Sequence, residues 1–174
     1  MDDDLRELRI EDRETREAIE AAASQIERAK RGLDEVALEF MHRGDTIRIA
    51  VGSRAWIGTV VHVGLRLLRL RIEAGAVIDV DLSRLTSVSV VHRSPTGGRS
   101  PGGPDPATMI ALLRQLEHTH DAVEIGGPEL DPVTVRVLVV AQTHIEGLGV
   151  DGTEWVFPLH SIGYVSRPGV PNAR

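Results

Sequence analysis

From Gly44 onward the chain alternates apolar and polar residues in short runs, and the same set of runs is written twice. The first repeat reads Gly44-Asp45-Thr46-Ile47-Arg48-Ile49, Gly58-Thr59-Val60-Val61-His62-Val63-Gly64, Leu68-Arg69-Leu70-Arg71 and Val80-Asp81-Leu82-Ser83-Arg84-Leu85, closing at Val88. The second reads Asp121-Ala122-Val123-Glu124-Ile125, Val135-Arg136-Val137-Leu138-Val139-Val140, His144-Ile145-Glu146-Gly147-Leu148, Asp151-Gly152 and Phe157-Pro158-Leu159-His160-Ser161-Ile162, closing at Val165. A period of two puts successive side chains on opposite faces of a strand. Leu68, Leu70 and Ile72 therefore share one face, and Arg69 and Arg71 the other. The pattern predicts strands at 45–51, 55–63, 66–73, 76–82 and 86–92, then at 121–126, 133–141, 143–149, 153–158 and 161–166. Five short strands over roughly fifty residues are the signature of a small all-β barrel, here in tandem.

The first forty residues carry a helical period instead. Ile19, Ala22, Ile26, Ala29, Leu33, Val36 and Phe40 recur at alternating steps of three and four, an a/d seam of about three heptads. Leu5 and Leu8 continue the register upstream, while Asp12 and Thr15 interrupt it. Gly32 weakens the helix by about 1 kcal/mol relative to alanine. Such a stripe either packs on the adjacent barrel or pairs with another molecule through Ile19, Ile26, Leu33, Val36 and Phe40. Gly44 supplies the left-handed cap that ends the helix.

Between the repeats, Pro, Gly and Ser dominate 93–106 and predict a flexible or extended tether. Pro106 suits a first helical turn, and Ala107 to His118 predicts a short helix with Met109, Leu112, Leu113 and Leu116 on one side. The expected architecture is mainly β, of α+β type. A long acidic helix spans 1–42, a five-stranded barrel 43–92, a linker 93–106, a helix and second barrel 107–166, and a disordered tail 167–174.

Composition narrows the chemistry. The sequence has no cysteine, which removes disulfides, thiolate metal sites and a cysteine nucleophile, and fits a reducing compartment. No apolar run approaches the ~20 residues of a membrane span. Met1-Asp2-Asp3-Asp4 is the opposite of a basic signal-peptide start, so a cytoplasmic protein is the expectation. Charge is uneven: residues 1–42 carry 7 basic and 13 acidic side chains, 43–100 carry 9 and 4, and 101–174 carry 4 and 9. Only the first repeat is basic. It offers a surface either for an anionic partner or for the chain's own acidic helix.

A helix leading into five short strands, with Gly58 in the long second strand, Val63-Gly64 at its end and Gly75 in the turn after the third, resembles the Sm-like fold. The resemblance covers 14–92 and, more loosely, 107–166. It implies small barrels of Sm-like or SH3-like kind that join into rings through their fourth and fifth strands and bind single-stranded RNA. The family's RNA-contact signatures are replaced. Gly64-Leu65-Arg66-Leu67-Leu68 stands where Asp-x-x-x-Asn is usual, and Leu82-Ser83-Arg84-Leu85 where Arg-Gly or Lys-His is usual. The second repeat has Gln142-Thr143-His144-Ile145 and Pro158-Leu159-His160-Ser161 at those places.

The candidate chemistry is correspondingly spare. Alternation puts Arg48, Arg69 and Arg71 on outward faces, with Arg54, Arg66 and Arg84 in turns, a set able to grip phosphates of single-stranded RNA or DNA. Trp56 shares a face with Gly58 and Val60 and is expected in the core rather than as a stacking platform. His118, His120, His144 and His160 lack the spacing of a metal site, and His62 and His92 are expected at a barrel edge. Asp79 and Asp81 share a strand face without a nucleophile or partner base, and Asp151-Gly152 is turn chemistry. No cofactor, metal or catalytic residue is expected. The favoured expectation is a non-enzymatic interaction and assembly module, a homo-oligomer or the binder of a protein partner. The alternatives are a nucleic-acid-binding regulator using the arginines and, further off, an enzyme with a site between the barrels.

Overall fold

The computed structural model describes residues 16, 19–27, 29–73, 75–95, 97–98 and 105–167. Leu5, Leu8, Asp12, Thr15, the middle of the linker and the tail beyond Arg167 lie outside them. The chain forms two units, 1–33 and 34–174. In the first, residues 19–27 and 29–30 are helical, and Ile19 and Ile26 are exposed. The single helix expected to residue 42 is interrupted. Arg31 and Gly32 are not helical, and a new helix, α1 (Leu33–Arg43), begins after them. Glycine, with the most backbone freedom to lose, is where the helix gives way.

α1 buries Ala37 and Met41, and Leu38 and Phe40 pack on the same core, while Val36 is half-buried. It ends in a Schellman motif: Gly44 N donates to Met41 O (3.1 Å) and Asp45 N to Phe40 O (3.0 Å), with Gly44 at φ +73°. β1 (Thr46–Val51), β2 (Arg54–Val63), β3 (Leu67–Ile72), β4 (Val77–Asp81) and β5 (Ser87–His92) follow, with a 3-10 turn at Leu82–Arg84. α2 (Met109–Thr119) leads into β6 (Ala122–Gly126), β7 (Val133–Val140), β8 (His144–Gly149) and β9 (Glu154–Pro158). A second 3-10 turn, Leu159–Ser161, precedes β10 (Tyr164–Arg167). Strand ends differ by at most one residue from those the alternation predicts, except that β10 starts three residues later, after the turn.

The ten strands make one open antiparallel sheet in the order β5-β1-β2-β3-β4-β10-β6-β7-β8-β9. Both repeats thus share one strand order, fifth-first-second-third-fourth. They even place a register shift at the same point, between Val60 and His62 in β2 and between Val137 and Val139 in β7. The repeats meet where β4 pairs with β10, Tyr164 opposite Val80 and Val165 opposite Asp79. One core gathers Met41, Ile47, Leu70 and Val80; the other gathers Leu112, Leu113, Ile145 and Phe157. Each repeat lends the other a large side chain. Leu67 sits in the core of the second repeat, and Tyr164 in that of the first.

Both described ends of the linker are fastened to the sheet unit rather than loose. Ser94 N donates to Asp45 Oδ1 (3.1 Å) and Gly98 N to His42 O (2.6 Å). At the other end Asp105 pairs with Arg69, and His62 Nε2 lies 3.0 Å from Pro106 O. Pro106 precedes the helix instead of opening it. The N-cap is Thr108, whose hydroxyl accepts from Ala111 N, and α2 buries Met109, Leu112, Leu113 and Leu116.

Candidate functional site

The β4·β10 junction brings together a buried carboxylate, two arginines and the buried tyrosine. Asp79, on β4, is wholly buried. Its Oδ1 accepts from Arg69 Nε at 2.6 Å and its Oδ2 from Arg167 Nη2 at 2.6 Å. Strand register explains the first bond, since Arg69 stands directly opposite Asp79, and β10 delivers Arg167 from the other side. Arg69 is also paired with Asp105. A buried charge is tolerated only when paired and hydrogen-bonded in this way.

On the other side of the sheet Tyr164 spans the junction. Its hydroxyl donates to Glu124 Oε1 (3.0 Å), its ring meets Trp56 edge-on at 4.5 Å, and Glu124 lies 3.7 Å from Arg54 Nη2. Gly126 is opposite Tyr164, and a Cβ there would meet the ring at 2.6 Å, so only glycine admits it. Burial first, and the Glu124 hydrogen bond and charge next, push the Tyr164 phenol up to about 12, with Arg54 opposing. Folding therefore favours the protonated phenol: this stability is intact below about 10 and is lost as pH rises from about 10 to about 12. Tyr164 is the sole tyrosine, so phenolate absorbance reports it alone. The folded protein should ionise near 12, and Tyr164→Phe should remove this part of the alkaline loss; titration near 10 in the folded state would refute the assignment.

The six arginines are not brought to one site. Arg69 turns away from the core, as alternation predicts, but residues 105–106 cross that face and it is paired with Asp79 and Asp105. Arg54 and Arg66 lie 3.7 Å from Glu124 and Asp81. Arg48 and Arg71 are exposed on the outer face, Arg71 beside a groove bordered by Thr59 and Glu73, and Arg84 is half-buried in the 3-10 turn. Of the helical seam, Leu33 is exposed at the start of α1 and Phe40 packs on the first core. Trp56 packs there too.

His62 lies in a central strand and is buried, not at an edge; His92 ends the edge strand β5. Asp81 caps its turn by accepting from Ser83 N (2.8 Å). Asp151 accepts from the Thr153 backbone and hydroxyl, which lowers its pKa. Among the described residues no group of three or more His, Asp or Glu side chains could hold a metal, and no helix is long and apolar enough to cross a membrane.

β5 and β9 are the two free edges of the sheet. Superposing one repeat's strand order and registers on the other makes them the counterparts of β10 and β4. Val156 then stands at the place of Asp79, and Val90 at that of Arg167, each counted from its 3-10 turn. Both valines are exposed, Val156 by 63% and Val90 by 36%. Leu159 N donates to Thr143 O on the β8 side, as Leu82 N does to Arg66 O on the β3 side. Backbone alternation then points the N–H of Val156 away from β8, into the open edge. Sequence reading missed Asp79, Arg167, Tyr164 and these valines as a set, because only register brings them together.

The chain matches no family model, no curated protein and no solved structure in comparisons with all three.

Proposed function

We propose that the protein is a non-enzymatic assembly module of two small Sm-like barrels that joins to further copies of itself, head to tail, through β5 of one copy and β9 of the next. The β4·β10 pairing within the chain supports this reading. It is a worked example of the same union, and its two counterpart edges are left open at the ends of the sheet. The side chains are matched on both sides of the exchange. Where the inner junction has the pair Asp79 and Arg167, the outer edges have Val156 and Val90. Burying a valine is worth roughly 1.5–3 kcal/mol at most, so two valines and a strand ladder make a modest but specific contact. Exposed strand edges of this kind pair with another chain unless blunted. Pro158 does blunt the edge at one point: Asp81 N donates to Gly163 O (2.9 Å), and Pro158, the counterpart of Asp81, has no such donor. Head-to-tail union is heterologous and yields a ring where the rotation closes.

Light scattering after size exclusion tests this. The wild-type protein should run as a multiple of its 19.0 kDa mass. Val156→Pro should drop it to the monomer with an unchanged melting temperature, since the lost N–H faces the open edge. A wild-type protein that stays monomeric on concentration sinks the proposal.

A further inference from the structure

The junction between the repeats is held by more than the pairing of β4 with β10. The hairpin joining β1 to β2 comes up against the connection between β6 and β7. A Cβ on Gly52 would stand 2.8 Å from Pro128 O, and Arg54, which begins β2, lies 3.7 Å from Glu124 on β6. The first repeat thus supplies a cation beside its hairpin, and the second an anion on its first strand.

Exchanging the repeats gives each side of this ion pair a counterpart. Glu124 stands opposite Ser166 of β10, and Arg48 opposite Ser89 of β5. Ser166 and Ser89 each lie five residues past the 3-10 turn of their own repeat. Arg48 therefore has on β1 the place that Glu124 has on β6. The counterpart of the β1–β2 hairpin is the longer connection between β6 and β7, which carries Glu129 and Asp131.

We infer that Arg48 of one copy pairs with Glu129 and Asp131 of the next, an ion pair between copies built like that of Arg54 and Glu124 within the chain. The inference rests on the head-to-tail reading above and names the charged contact that accompanies the strand union. The sign is reversed on both sides. Arginine replaces glutamate on the first strand, and two carboxylates replace arginine beside the first connection. Reversal on one side alone would set like charges together; reversal on both keeps the attraction. Arg48, Glu129 and Asp131 are all exposed, and none has an ion pair among the described residues. All three lie in the sheet unit, within the part of the chain that the union joins.

Charge exchange in the full-length protein decides the matter, read by sedimentation of the assembled form. Arg48→Glu, and Glu129→Lys with Asp131→Lys, should each weaken assembly about tenfold, since reversal adds repulsion to the lost attraction. Circular dichroism should show the fold intact in both. All three changes together should return assembly to within about threefold of wild type, a rescue that a merely structural effect would not produce. Reversed variants that assemble like wild type, or a combination that is not rescued, overturn this contact. If those results coincide with dissociation by Val156→Pro, strand-edge union survives and only this contact falls. A wild-type monomer removes both.

Discussion

Asp79→Ala lowers the stability of the sheet unit by about 3 kcal/mol, the lower end of the cost of breaking a buried ion pair from one side. Two guanidinium groups converge on this carboxylate at 2.6 Å, and no solvent reaches it. Its removal leaves Arg69, with little exposed surface, one partner short. Asp105 remains to that arginine, which is why the loss falls at the lower end. Arg167 is less enclosed and can turn toward water. A further result separates charge from packing. Asp79→Val with Arg167→Val should cost less than Asp79→Val alone, because an apolar pair needs no counter-ion and the counterpart places already carry valine, Val156 in the second repeat and Val90 in the first. Urea unfolding with a constant slope measures all three. Equal losses for the single and double variants would show that Arg167 left without Asp79 carries no penalty, against this expectation.

Tyr164→Ala costs about 3–5 kcal/mol, as expected for deleting a buried aromatic ring and leaving its cavity. The ring fills the core of the first repeat although the residue belongs to the second, so the damage is felt on both sides of β10. Trp56, which meets the ring at 4.5 Å, should shift its fluorescence to the red as water enters. Tyr164→Phe keeps the ring and loses only the hydrogen bond to Glu124, at about 1 kcal/mol. Glu124 retains Arg54 nearby and is not stranded. Similar losses for alanine and phenylalanine would show that the hydroxyl, not the ring, matters.

Period alone located the strands and α2 because both bury one clean face. Met109, Leu112, Leu113 and Leu116 are all inside, as their spacing requires. Period was less informative before residue 43. An a/d stripe names a face without naming what covers it, and Gly32 divides the stripe at the point where propensity is weakest. Arg69 shows the same limit in a strand. Alternation correctly turns it away from the core, yet residues 105–106 pass over that side and claim it. Tyr164 lay inside a predicted strand, but its placement in the other repeat's core depends on β4 pairing with β10. No local pattern encodes that pairing, since the two strands are some eighty residues apart.

The exchange of Leu67 and Tyr164 also bears on how such a duplication persists. Once each repeat has handed a large side chain to its neighbour, neither can be lost without leaving a hole shaped for the missing residue. Return to a single-repeat ancestor would need both vacancies refilled at once. Packing thus acts as a ratchet on the gene, holding two repeats together however far their surfaces diverge.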